Sequence, residues 1–197
     1  MSAPELDFAP LSGDDPLHAA LEKIGELYTA TNFMTWWDAR AFSVEGASAD
    51  WDPSDQQRVK TLAKFIESHV LPRYNSRERI SFSRSIARVG RVDWTSVREG
   101  LLDALKHHPI AGGTRAGTPM SQFSPHAFIL LDILEDQIAA TLGLESGREL
   151  QSSGLLKCTR LRPREGSVFE GTLYQHLFLI WAPTSRRVVW FDLGGSH

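Results

Sequence analysis

An α+β fold is predicted, with about five N-terminal helices followed by a small C-terminal antiparallel β-meander packed on the helices. Two changes along the chain predict it. Up to residue 142, apolar residues recur every three or four positions, the spacing of one helix face. After residue 150 the period falls to about two, the spacing of one strand face. Helices first and strands last argues against the alternation that builds a parallel α/β sheet.

Each element has local punctuation. Asp15-Pro16 opens the first predicted helix, because aspartate caps it and proline has no N–H to leave unpaired at the first helical position. Leu17, Leu21, Ile24 and Tyr28 then share a face. The pattern dissolves around residues 32–37, and a loop rich in Gly, Ser, Ala and Asp is predicted to run to Asp50. Asp52-Pro53 repeats the opening signal, and Val59, Leu62, Ala63, Ile66 and Val70 form a stripe closed by Pro72. Asn75 and Glu78 read as a capping box, which predicts a helix ending at Gly90. Asp93 caps the next, with Val97, Leu101, Ala104 and Leu105 facing inward. Ser124-Pro125 opens the most apolar helix, carrying Phe128, Leu131, Leu134, Ile138 and Leu142, with Gly143 as its stop. Strands are predicted over residues 155–161, 172–181 and 187–193. The second of these is apolar on both faces near its end, as a doubly covered central strand would be. One domain over residues 1–197 is expected, with residues 1–13 as a poorly ordered arm.

Composition excludes several classes. With 42% hydrophobic and 10% aromatic residues in 197, the chain can bury a core, which argues against disorder and excludes a collagen-like or low-complexity chain. No apolar run approaches the ~20 residues of a membrane helix, and the N-terminus lacks the apolar stretch of a secretory signal. The single cysteine, Cys158, excludes an intramolecular disulfide and any zinc site with two or more Cys. A cytoplasmic location without membrane attachment is the expectation.

The net charge of −3 hides an asymmetry. Residues 1–72 carry 12 acids and 5 bases, whereas residues 73–98 carry 7 Arg and 2 acids. In the acidic third, Asp38, Asp50, Asp52 and Asp55 surround Trp36, Trp37 and Trp51, a composition suited to seizing a basic protein. These seven residues are the predicted partner-binding surface. The expected function is a non-catalytic protein-binding module, in one form a cytosolic inhibitor or immunity-type protein that neutralises a basic toxin.

Two alternatives stand beside it. On the predicted arginine helix, Arg77, Arg84 and Arg88 fall within about 40° of one another, opposite Phe82, Ile86 and Val89, so the row suits nucleic acid or a phosphorylated ligand. The glycine-rich stretch 111–118 adds Arg115 and Thr118, with His108 just before it, as further anion-binding candidates. The other alternative is an enzyme assembled near that loop, with His108, Arg115 and His176 converging. The signals for it are thin. The loop lacks the Gly-Lys-Ser/Thr ending of a P-loop and follows no strand. No G-x-S-x-G elbow is present. The seven histidines include no H-E-x-x-H, so no metal or cofactor is expected. Cys158 reads as an inert buried thiol, since Lys157 beside it on a strand points to the other face. Asp132, Glu135 and Asp136 read as a solvated helix face.

Overall fold

Six strands form one antiparallel sheet in the order β1-β2-β6-β5-β4-β3. They are β1 (Asp7–Pro10), β2 (Met34–Glu45), β3 (Ile86–Val92), β4 (Lys157–Pro163), β5 (Tyr174–Ala182) and β6 (Arg187–Ser196). The structure, a computed structural model, describes residues 6–11, 16–29, 34–47, 51–55, 59–73, 81–106, 125–152, 154–170 and 174–196. Helices α1 (Pro16–Thr29), α4 (Trp94–Lys106) and α5 (Pro125–Leu142) cover one face. The other face is covered by α2 (Val59–Phe65), which continues into a π-helical turn (Ile66–Val70) and a 3-10 turn (Leu71–Arg73). A four-residue helix, α3 (Phe82–Ser85), leads into β3.

The helices-then-meander order is therefore incorrect, although the fold remains α+β. Three strands precede residue 93, and only β4-β5-β6 form the expected meander. The long β2 lies beside β6, with Trp37 opposite Leu193 and Ala41 opposite Val189, so a strand from the first third of the chain joins the meander through its last strand. Phe8 and its neighbours, placed by sequence in a loose arm, form β1 against Phe42–Glu45. Pro10 is tolerated there because β1 is an edge strand.

Both misplaced strands have a physical explanation. On β2, Trp37, Ala39 and Ala41 enter one core throughout. On the opposite side, polar Asp38 and Arg40 give way to Phe42 and Val44 where the α2 layer begins. Neither a period of two nor of 3.6 survives that switch. On β3, residues 86–89 fall within the helix that the sequence predicts from Asn75 to Gly90. Helix ends instead at Ser85, and pairing with β4 takes the β-branched residues into the sheet.

The doubly covered central strand is β5. Phe178 and Ile180 enter the core beneath α4 and α5, while Leu177, Leu179 and Trp181 enter the α2 side. Across the hairpin Trp190 is opposite Leu179, and Trp181 is opposite Val188, so the two indoles are diagonal neighbours. Arg186 closes the turn in the left-handed region at φ 53°. Each such fully buried large side chain contributes on the order of 2–3 kcal/mol.

Candidate functional site

The acidic, tryptophan-bearing group is divided between surfaces. Trp37 is buried, and its indole N–H donates to the Tyr174 hydroxyl at 2.8 Å. Trp51 is buried edge-on to Trp181, with ring centroids 4.9 Å apart. Trp36 is half-buried on the opposite side of β2 and donates to the buried Asp192 carboxylate at 2.9 Å. Asp38 accepts from Arg40 at 3.1 Å and lies 3.7 Å from His18 Nδ1. Asp52 accepts from the backbone N–H and hydroxyl of Ser54 and lies 3.6 Å from Arg91 on β3. Burial by itself would raise the Asp52 carboxyl, but the Ser54 hydrogen bonds and the Arg91 and Lys157 charges hold it below its ordinary value. β2 and β3 are four strand steps apart, about 19 Å. Asp38 and Asp52 thus belong to different edges. Asp55 is exposed, and Asp50 lies outside the described residues.

The arginine row is also broken up. Arg84 is exposed on α3 and Arg88 is exposed on β3, so the helical geometry that aligned them does not exist. Arg77, His108, Arg115 and Thr118 lie outside the described residues. His176 is buried on β5, with Nε2 2.9 Å from the Asp103 carboxylate of α4. Among the described residues no group of three His, Cys, Asp or Glu could hold a metal ion, and no helix is long and apolar enough to cross a membrane.

An open cavity of about 880 Å³ lies at the N-terminal end of α4, lined by Arg91, Trp94, Arg98, Leu150, Leu156 and Cys158. Its charged groups serve internal pairs. Arg91 faces Asp52, and Arg98 donates to Glu135 at 3.1 Å. Its thiol is quiescent, because burial, with the Asp93 charge adding to it, pushes Cys158 up to about 12. A thiol-specific reagent at about pH 8 is expected to leave the folded chain unlabelled and to react once denaturant exposes Cys158. Rapid labelling of the folded protein, followed by mass spectrometry, would contradict this.

The surface that sequence reading missed is the outer face of α5. Phe128, Ile129 and Ile133 are 37%, 56% and 49% exposed, against complete burial of Leu131, Leu134 and Ile138 on the inner face. Asp132 and Asp136 are exposed between them. At 100° per residue these five positions span an arc of about 140°, with the two carboxylates in its middle. The arc is fixed from beneath. Glu135, read by sequence as part of a solvated face, is buried and accepts from the Trp94 indole at 3.0 Å and from Arg98. Asp136 accepts from the Gly147 backbone N–H at 3.0 Å. A helix that is apolar on both sides signals burial on both sides, and here one side is exposed. The sequence carried this signal in Ile129 and Ile133, which fall outside the stripe Phe128-Leu131-Leu134-Ile138-Leu142.

No family model matches this chain, and no curated protein matches it. Among solved structures, citrus MAF1 in space group P 31 2 1 is similar over 90% of this chain and 98% of that one, with a TM-score of 0.51 at 12% identity. A second crystal form of citrus MAF1, in space group C 2 2 21, gives a TM-score of 0.45 at 14% identity, covering 89% and 98% of the two chains. The first of these likenesses is one of fold.

Proposed function

We propose that this chain is a non-catalytic, cytoplasmic binding module that captures a basic polypeptide on the outer face of α5. The observation that carries the reading is the exposed Phe128-Ile129-Ile133 surface with Asp132 and Asp136 inside it. Apolar residues supply affinity when a partner covers them, and the carboxylates select positive charge and speed encounter. Inhibition of a toxin with a basic cleft is the narrower form of this reading. It moves the acidic surface from the N-terminal third to α5, because Trp37 and Trp51 are core residues.

The test uses a defined probe, an 18-residue amphipathic helix of Lys and Leu, beside a Glu/Leu and a Lys/Ser counterpart. The Lys/Leu peptide is expected to bind at about 50 mM salt and the other two at least tenfold more weakly. Ile129→Asp with Ile133→Asp should weaken binding at least tenfold, since each isoleucine contributes roughly 1–2 kcal/mol on burial. Asp132→Lys with Asp136→Lys should lower the association rate and its salt dependence. Equal binding by the wild type and the Ile129→Asp/Ile133→Asp variant would overturn the assignment. So would a stable homodimer dissolved by that variant, because a second copy would then be the occupant.

A further inference from the structure

A different surface, on the β3–β4 edge, carries three arginines that the helical reading kept apart. Arg160 and Arg162 are two residues apart on β4 and therefore point to the same face. β3 places Arg88 directly opposite Arg162 and Gly90 directly opposite Arg160. The face is the one carrying Phe178, which is opposite Arg160 on β5 and whose ring centroid lies 5.8 Å from the Arg160 guanidinium carbon. Three guanidinium side chains thus start from a triangle about 5 Å by 7 Å at the backbone. Its fourth corner, Gly90, has no side chain, and a Cβ there would meet nothing within 4 Å.

This arrangement is unfavourable by itself. Like charges directly opposite on neighbouring strands destabilise a sheet, and Arg88 and Arg162 are such a pair. Among the described residues none of the three lies within 4.0 Å of a carboxylate; the ion pairs formed there engage Arg40, Arg91, Arg98 and two histidines instead. The Asp103 carboxylate of α4 is turned to His176. Arg160 is half-buried, and burial, followed by the Arg162 charge, lowers its affinity for its proton. A partly desolvated guanidinium without an acid gains more from an incoming anion than an exposed one does.

We propose that Arg88, Arg160 and Arg162, with the open position at Gly90, form a binding site for a compact multivalent phosphate, either a pyrophosphate or the phosphate end of a small organic phosphate. Guanidinium forks match phosphate oxygens in pairs, and three of them rooted on one face around a glycine, with no carboxylate within 4.0 Å among the described residues, suit one small group of high charge. A nucleic-acid strand suits the site less well. Three contacts give weak, salt-sensitive backbone binding, and the neighbouring ring, Phe178, is fully buried and offers no face for stacking a base. The site is independent of the α5 surface and of the proposal made for it.

Calorimetric titration of the full chain at about 50 mM salt tests the site with pyrophosphate, glucose 6-phosphate, inorganic sulfate and a 20-nucleotide single-stranded RNA as probes. Pyrophosphate is expected to bind one-to-one, at least tenfold more tightly than sulfate, and to raise the melting temperature. Comparing pyrophosphate with glucose 6-phosphate distinguishes the two ligand forms. Arg160→Ala and Arg162→Ala should each weaken binding at least tenfold. Gly90→Val is the decisive variant: its side chain enters open space and suits a strand, so the melting temperature should hold while pyrophosphate binding is lost. Undetectable pyrophosphate binding, or unchanged affinity in Arg160→Ala and Gly90→Val, would overturn the proposal. RNA binding without pyrophosphate binding would overturn it as well, and would make this edge a nucleic-acid surface.

Discussion

Replacing Gly100 with alanine is expected to destabilise the protein by about 1–2 kcal/mol net, although alanine is the better helix former by about 1 kcal/mol. The added Cβ would lie 2.6 and 2.7 Å from two Phe178 ring carbons, where contact distances are about 3.5–4.0 Å. Phe178 has no room to retreat, since it is fully buried in the core beneath α4. Either α4 lifts by about 1 Å or the ring leaves its rotamer, and overpacking of that kind costs about 1–3 kcal/mol. The steric term exceeds the propensity gain, so the sign of the change discriminates between local and tertiary control. Urea unfolding measures it. Combining Gly100→Ala with Phe178→Leu should recover part of the loss, a coupling that independent sites would not show. A Gly100→Ala protein as stable as the wild type would mean that α4 does not approach β5 this closely.

Glu135→Ala is expected to lower stability by about 2–3 kcal/mol, the other large effect. The carboxylate joins α4 to α5 by accepting from Trp94 and Arg98. Removing it strands a buried indole N–H and a guanidinium that has lost its closest partner. Arg98 is 32% exposed, so water recovers part of its solvation, and the value falls below that of a fully buried pair. Glu135→Gln keeps an acceptor for Trp94 but loses the charge, and should fall between wild type and alanine in thermal melts. An alanine variant melting with the wild type would show that the pair contributes nothing net. Because Glu135 orients α5, its loss should also loosen the Phe128-Ile129-Ile133 face that the binding proposal requires.

How far sequence reading reached depended on whether an element owes its pattern to one neighbour or to several. The helices around Leu17, Val97 and Leu131 were legible because each presents one constant face to one core. β5 was legible because both its faces are covered and its apolar run is unbroken. β2 was not, because its second face turns from polar Asp38 and Arg40 to apolar Phe42 and Val44 within one strand. For β3, Arg84 and Arg88 fitted a helical stripe as well as they fit consecutive elements, and only the pairing with β4 decides.

The candidate surfaces divide in the same way. A row of charges or aromatics in sequence becomes a surface only if the fold leaves those side chains outside. Trp37 and Trp51 were needed inside, and Arg160 and Arg162 met Arg88 only through strand register. The sequence alone determined an α+β composition with a buried thiol and most of its helix starts, since caps, periodicity and composition are local properties. Strand order, the exposed apolar face of α5 and the arginine triangle were decided by tertiary structure, because each depends on which distant segment lies alongside.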